Sequence, residues 1–400
     1  MSKLEELINQ YCPDGVGWKT IGETCEVLTG GEAPEDSIKS KKPQPPYIYP
    51  IFSNGIGDNA LWGFSKQYRV DRKAVTFSSI GTIGYPTVRK EKFTPVIRLK
   101  TIYPKDESTL SLQYLKYALE IVDFKNHKSS IPNINADMLK NIEIPVPPLP
   151  VQEEIVRILD KFAELEEELE EELQLRKKQY EYYRDKMLSL SDYDGEVKTM
   201  GALGKFYGGI TGKAKADFEN GNAKFISYMN VYSNIAVNQN ATDTVKIGKD
   251  EKQKTLQYCD VCFTGSSETP DECGMSSVVV EEPSEALYLN SFSFFFRFDN
   301  PEKFNPHFLK HLFRCHDLRY QIGKTANGVT RFNVSKEMMK DVKIPLLDLD
   351  EQERIADILD KFDSLVTDIS EGLPAEIKMR RQQYEYYRDK LLNFKRLENK

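Results

Sequence analysis

At 400 residues the chain is long enough for roughly two to three packed domains of ~150 residues each, and its composition is that of an ordinary globular protein. Its net charge of -7 argues against a uniformly basic nucleic-acid-binding surface, and six scattered cysteines argue against a disulfide framework and for a reduced, cytosolic setting. Met1 to Ile8 has no apolar signal core, and no apolar run approaches the ~18 residues of a membrane span, so no membrane partner is expected.

From the N-terminus, Leu4, Leu7, Ile8 and Tyr11 recur at helical spacing, and Pro13-Asp14-Gly15 ends that helix in a turn. Residues 20 to 145 then alternate short β-branched and aromatic runs with Gly, Pro, Asn and Ser clusters. Strands are predicted at Tyr47 to Phe52, Ala74 to Phe77, Thr87 to Val88 and Val96 to Leu99, and a helix over Leu110 to Asn126. Charge is unevenly spread here: residues 61 to 105 hold ten basic and two acidic side chains, interleaved with Trp62, Phe64, Tyr68, Phe77, Tyr85 and Phe93. Such a local patch meets the electrostatic requirement for phosphate binding whatever the net charge, although a solvated strand face has the same composition.

Val146-Pro147-Pro148-Leu149-Pro150 stops a strand and leads into a long helical pattern. Ile155, Ile158, Phe162, Leu165, Leu169, Leu173, Arg176, Tyr180, Tyr183 and Met187 lie three or four apart, which is the seam of a coiled coil. Most of this stretch is written twice. Ile158 to Phe162 returns unchanged as Ile358 to Phe362, and Gln179 to Lys186 returns unchanged as Gln383 to Lys390. The second seam, Ile355, Ile358, Phe362, Leu365, Ile369, Leu373, Ile377, Arg380, Tyr384, Tyr387 and Leu391, stays in phase across a four-residue insert. Gly372 and Pro374 fall in that insert, and a kink or short break is expected there.

The segments flanking the helices repeat as well. Asn133 to Leu139 with Ile142-Glu143-Ile144-Pro145 answers Asn333 to Met339 with Val342-Lys343-Ile344-Pro345, and Lys19-Thr20-Ile21-Gly22 answers Lys198-Thr199-Met200-Gly201. Between them, interiors 25 to 130 and 205 to 330 share little. The order is variable, constant, variable, constant, with two halves that close head to tail and both termini near one junction. Neither long helix is stable alone, so the pair is expected to pack antiparallel, and the Tyr180, Tyr182, Tyr183 cluster suggests either seam packing or helices docking from a partner. The first copy is acidic, with 12 Asp and Glu against 7 Lys and Arg over residues 151 to 190, and is a poor DNA ligand.

Catalytic motifs are missing. Gly208-Gly209-Ile210-Thr211-Gly212-Lys213 has the wrong glycine spacing for a phosphate-binding loop and Ala214 where a magnesium-binding hydroxyl belongs. Cys259 and Cys262 have metal-ligand spacing, but Tyr258 to Phe263 alternates as a strand, which sends them to opposite faces as buried thiols. No methyltransferase signature or nucleophilic triad spacing is present, and the chain is expected to be non-catalytic.

Taken together, the repeated Ile-Pro strand ends, Gln152-Glu153 and Gln352-Glu353, the two repeated helical motifs and Glu371-Gly372-Leu373-Pro374 resemble the specificity subunits of type I restriction-modification enzymes. Cys12 to Val16, Phe263 to Pro270 and Gly328 to Val334 add to that resemblance; the first helix lacks the Glu-Gly-Leu-Pro insert. The resemblance implies an α/β (α+β) fold of two target-recognition domains, 1–146 and 191–346, separated by an antiparallel coiled coil of helices 147–190 and 347–400, pseudo-two-fold and circularly closed. It implies double-stranded DNA with an asymmetric bipartite target, two methyltransferase subunits docked on the coiled coil, and optionally two translocating endonuclease subunits. S-adenosylmethionine, ATP and magnesium are then expected on those partners and no cofactor on this chain. A helix of ~38 residues would be ~57 Å long, a ruler between half-sites.

For base and phosphate contacts the candidates are Ser53, Asn54, Arg69, Ser78, Ser79, Thr82, Tyr85, Arg89 and Lys92 in the first domain. In the second they are Ser227, Tyr228, Asn230, Thr264, Ser266, Ser267, Arg331 and Asn333. Candidates for the coiled coil and partner docking are Ile158, Phe162, Leu165, Tyr180, Tyr183, Ile358, Phe362, Leu365, Tyr384 and Tyr387. A recognition subunit of a fused restriction-methyltransferase, or a coiled-coil scaffold with two protein-binding heads, are the alternatives.

Overall fold

The computed structural model describes residues 2–80, 83–122, 134–240, 243–368 and 370–397. They form two compact units, Met1–Leu169 with Ile377–Lys400 and Glu170–Glu376. The long helix Leu149–Met187 crosses the boundary, as does Leu373–Leu391. The second copy breaks between Thr367 and Leu373, where the insert predicts it. The Asp368 side chain accepts from the amides of Ser370 and Glu371 at 2.7 and 3.3 Å, replacing the helical partners lost at the break.

In the first unit, Trp18–Thr20 pairs antiparallel with Glu143–Pro145, so the two constant edges of the variable interior meet. A four-stranded sheet has the order Cys25–Thr29, Lys100–Pro104, Ala74–Ser78, Gly84–Arg89. A second runs Ser37–Ile38, Leu61–Ser65, Tyr49–Phe52, Thr94–Pro95, its last pair parallel. The predicted strand at Val96 to Leu99 is instead the turn between the sheets; the next strand begins at Lys100. The predicted helix is Leu112–Glu120; residues 123–133 lie outside the described residues. Both termini meet here: Val16 donates its amide to the Lys395 carbonyl at 2.8 Å and accepts from Leu397 at 3.0 Å, beside Gly15 at φ +123°, a left-handed position that favours glycine.

The second unit repeats the frame. Val197–Thr199 pairs with Lys343–Pro345. Its main sheet has the order Gly204–Gly208, Ser293–Phe298, Val261–Thr264, Ser276–Val278, and Leu287–Leu289 runs parallel to Ala223–Ile226 in a three-stranded sheet. Strand Ser293–Phe298 sends Phe294, Phe296 and Phe298 into one core and Phe295 into another, the period of two expected of a strand buried on both faces. Cys259 and Cys262 are each buried in a different core, though not by strand alternation: the strand expected from Tyr258 begins only at Val261, and Cys259 sits in the preceding turn at φ 69°. Lys213 of the glycine-rich stretch is ion-paired to Glu251 at 2.5 Å.

The same side chains fasten each long helix to its sheet unit. Gln152 is 0% exposed: its Oε1 accepts from the Ser111 amide at 2.9 Å, and its Nε2 donates to the carbonyls of Thr109 and Pro147 at 2.8 and 2.7 Å. Gln352, 1% exposed, makes the same three bonds to the Asn305 amide and the Lys303 and Leu347 carbonyls. About two turns on, Leu159 and Leu359 are fully buried in their cores. Asp160 then accepts from Gln113 at 3.0 Å and from Tyr117, while Asp360 bonds His307, Lys310 and His311 at 3.0, 2.9 and 2.5 Å. Burial alone raises the Asp360 pKa, but His311 and Lys310 outweigh it and hold the carboxyl at about 2.

Gln352→Ala is expected to cost about 1–3 kcal/mol of local stability in the second unit, because an amide and two carbonyls lose a buried partner together. Native-state hydrogen exchange reads this as lost protection in helix Pro306–Leu312 with helix Leu112–Glu120 unchanged, and Gln152→Ala as the reverse. Equal loss in both helices contradicts the assignment of one clasp to each unit.

Candidate nucleic-acid interface

In each unit the ends of the central strands of both sheets are stitched together, and most of the residues singled out in the sequence sit at those ends. In the first unit Tyr49–Phe52 runs into Ser53 and Asn54, and Ala74–Ser78 into Ser79. Ser53, half-buried, donates its amide to the Ala60 carbonyl at 2.8 Å. Asn54 bridges: its Oδ1 accepts the Ser79 amide at 2.8 Å and its Nδ2 donates to the Ile97 carbonyl at 2.5 Å. Buried Ser78 bonds the amide and carbonyl of Gly55, and buried Ser79 donates to the Arg98 carbonyl at 2.9 Å. The side chains of Asn54, Ser78 and Ser79 thus use their bonds to hold the loops in place, while Ser53 is held through its backbone.

The exposed basic and aromatic groups of the first unit are a different set. Arg69 is exposed and donates to the Glu32 carbonyl at 3.1 Å. Tyr85 and Lys92 are exposed on left-handed backbone, φ 57° and 66°. Arg89 is half-buried, 4.0 Å over the Phe52 ring with Nε donating to Thr76 at 3.0 Å, and burial lowers its pKa. Thr82 lies outside the described residues. Sequence reasoning missed Arg98, exposed beside Ile97, because those residues read as strand.

In the second unit Tyr228, Ser266, Ser267 and Arg331 do converge. With Met229, Tyr232 and Glu272 they line a cleft of about 460 Å³. Tyr228 donates to the Ser266 carbonyl at 2.7 Å and stacks on Tyr232 at 6.1 Å, and Arg331 reaches Ser266 Oγ at 3.3 Å. Glu272 accepts from Tyr232 and Thr269 at 2.9 and 3.0 Å, which holds its pKa below the usual carboxylate range. The cleft thus presents a stacking face, a cation and hydrogen-bonding groups of both kinds, the inventory for reading base edges. Exposed Asn333 pairs with Ser266 on the adjoining strand, and half-buried Ser227 precedes helix Tyr228–Ser233. Thr264 and Asn230 are buried instead: Thr264 caps the Met275 amide at 2.9 Å, and Asn230 clamps the amide and carbonyl of Asn238 at 3.1 and 2.8 Å.

Along the helices, Phe162 stacks on Tyr387 at 5.3 Å in the first unit and Tyr183 on Phe362 at 5.5 Å in the second, an antiparallel pairing in each. Tyr180 is buried, its hydroxyl 2.8 Å from His311 Nδ1, and Tyr384 bonds Glu120. Ile158, Leu165 and Ile358 are half-buried; Leu365 is 37% exposed, while Val366 at 4% turns inward just before the helix ends. Ile369 lies outside the described residues. The repeated tyrosines are mainly internal clamps; Tyr182 and Tyr386, 60% and 61% exposed, face solvent most openly, and Tyr183, 38% exposed, stacks on Phe362 with one side.

The model of a family described as the type I restriction modification DNA specificity domain matches residues 13–175 and 194–379. The type I restriction enzyme EcoR124I/EcoR124II specificity subunit of Escherichia coli is 31% identical over 421 residues, covering 98% of this chain and 97% of that protein. A putative type I restriction enzyme specificity subunit of Haemophilus influenzae, S.HindORF215P, is 33% identical over 290 residues, covering 64% and 65%. Among solved structures, a chain from a study of complex assembly and conformational transition of the type I R-M system has a TM-score of 0.59 at 16% identity, covering 95% of this chain and 98% of that one. The type I restriction-modification S subunit from M. genitalium has a TM-score of 0.50 at 16% identity, covering 94% and 96%. At those identities the likeness is one of fold.

Asn230→Ala is expected to destabilise the protein by about 1–3 kcal/mol because its two bonds to the Asn238 backbone are lost together, whereas Arg331→Ala on the open cleft wall stays within about 0.5 kcal/mol. Urea denaturation distinguishes them, and comparable losses contradict the division into clamp and exposed wall.

Proposed function

The chain belongs to the family of type I restriction-modification DNA specificity subunits, and from that membership we propose that it reads an asymmetric bipartite site on double-stranded DNA, one half-site per unit. What supports this reading above all is one frame used twice around unlike interiors. Both units share the paired constant strands, the glutamine clasp and the sheet order, yet the first offers Arg69, Tyr85 and Lys92 where the second offers a cleft with Tyr228, Arg331 and Glu272. Exposed cations fix register on phosphates, and the polar and apolar groups between them discriminate bases.

The subunit itself is non-catalytic. Two methyltransferase subunits dock on the paired helices, where Tyr182 and Tyr386 face outward, and carry S-adenosylmethionine for adenine methylation; endonuclease subunits, where present, bring ATP and magnesium. The complex works in the cytoplasm, and among the described residues no helix is long and apolar enough to cross a membrane.

Genome-wide mapping of methylated adenines in the host, with and without this gene, tests the reading. Loss of one bipartite motif with two unlike halves is expected on deletion. Retention of every bipartite motif contradicts a role in modification.

A further inference from the structure

In each unit the chain re-enters the main sheet from the second sheet through a short turn before the strand Lys100–Pro104 or Ser293–Phe298, and in both units that turn carries an exposed, large apolar side chain. In the first unit residues 96–99 link Thr94–Pro95 to Lys100–Pro104. Ile97 and Arg98 both have left-handed backbone, φ 52° and 60°, and Ile97 is 51% exposed. Two consecutive non-glycine residues in this region store about 1–3 kcal/mol each and persist only where the surroundings enforce them. The enforcement is complete here. Their amides donate to the carbonyls of Gly31 and Gly30 at 2.8 and 2.9 Å, and their carbonyls accept from Asn54 Nδ2 and Ser79 Oγ at 2.5 and 2.9 Å. A Cβ on Gly30 would lie 2.8 Å from the Pro95 carbonyl carbon, so the floor of the turn admits only glycine.

In the second unit residues 290–292 make the equivalent link, from Leu287–Leu289 to Ser293–Phe298. Asn290 donates to the Ile226 carbonyl through its amide and its Nδ2, both at 3.0 Å, and accepts the Phe292 amide at 2.9 Å. The Phe292 carbonyl takes the Gly265 amide at 2.8 Å, and its ring is left 66% exposed. Ile226 and Gly265 are followed directly by Ser227-Tyr228 and Ser266-Ser267, so this turn borders the cleft along both of its walls.

We propose that the inter-sheet turn is the base-reading tip of each unit, with Ile97 and Arg98 specifying bases in the first and Phe292 in the second. The proposal rests on the DNA-recognition reading above and adds which residues discriminate. An exposed guanidinium on a rigid tip suits bidentate contact with guanine O6 and N7, and exposed Ile and Phe side chains suit the thymine methyl group. Because the backbone is already fixed, no loop-ordering cost is added to that of the side chains on contact. Asn54, Ser79 and Asn290 become positioning residues that act through the turn.

The test uses the full chain in its host, with methylated adenines mapped genome-wide for Arg98→Asn, Arg98→Lys and Phe292→Ala. Asparagine tolerates the left-handed backbone and lysine keeps the charge, so a fold defect in one variant leaves the other decisive. Both Arg98 variants are expected to lose discrimination roughly tenfold or more at one or two positions of one half-site, leaving the other half unchanged. Phe292→Ala is expected to relax the opposite half alone. Uniform weakening at all sites, as a phosphate contact gives, or an unchanged motif in well-folded variants, overturns the assignment while leaving the bipartite reading intact. A wild-type host with no bipartite motif dependent on this gene overturns both.

Discussion

A buried glutamine amide inside a helix is costly unless every polar atom finds a partner, and in this chain that constraint is met twice in the same way. Gln152 and Gln352 each bind one amide and one carbonyl from the segment that enters the sheet unit's helix, and one carbonyl from the linker before the long helix. Two chain segments more than forty residues apart in sequence are thereby fixed at a single point in each unit. Leu159 and Leu359, then Asp160 and Asp360, continue the attachment along the next turns, so the sheet unit is locked to the helix in register and rotation. A reading surface attached in this way can vary at its far strand ends while its mounting stays constant.

That separation explains why polar residues at the strand ends differ in role. Asn54, Ser78, Ser79, Thr264 and Asn230 spend their hydrogen bonds on neighbouring backbone, whereas Tyr85, Lys92, Arg98, Phe292 and Arg331 present side chains to solvent. The first group shapes the surface, and the proposed function assigns contact with DNA to the second. The two units reach this outcome with different residues, an exposed basic and aromatic set in one and a cleft with a stacked tyrosine pair in the other. Unlike surfaces on like mountings are what an asymmetric target requires.

The helices, their antiparallel pairing, the break at the insert and the junction of the termini were legible because steps of three and four, glycine with proline, and repeated strand ends are local signals. The glutamines were visible only as part of a repeated motif, since their role depends on Ser111 and Asn305, 41 and 47 residues away. Residues 96–99 read as strand from β-branched Val96 and Ile97, but Gly30, Gly31, Asn54 and Ser79 bend them into a turn, a tertiary override that no local pattern announces. Asn and Ser at strand ends signal loops that serve as scaffold or as reader alike, so composition located the strand-end loops without sorting their residues. Leu365 was assigned to the seam by spacing, and the helix end two residues later turns Val366 inward in its place.

The central claim is that each sheet unit reads one half-site independently while the clasped helices stay constant. It is tested most directly by replacing residues 25–130 with the corresponding interior of a relative of different specificity and mapping methylated adenines in the host. The account predicts that one half of the bipartite motif changes to the donor's half, with the other half and the gap unaltered. A change in both halves, or a new half-site accompanied by a new gap, would contradict it.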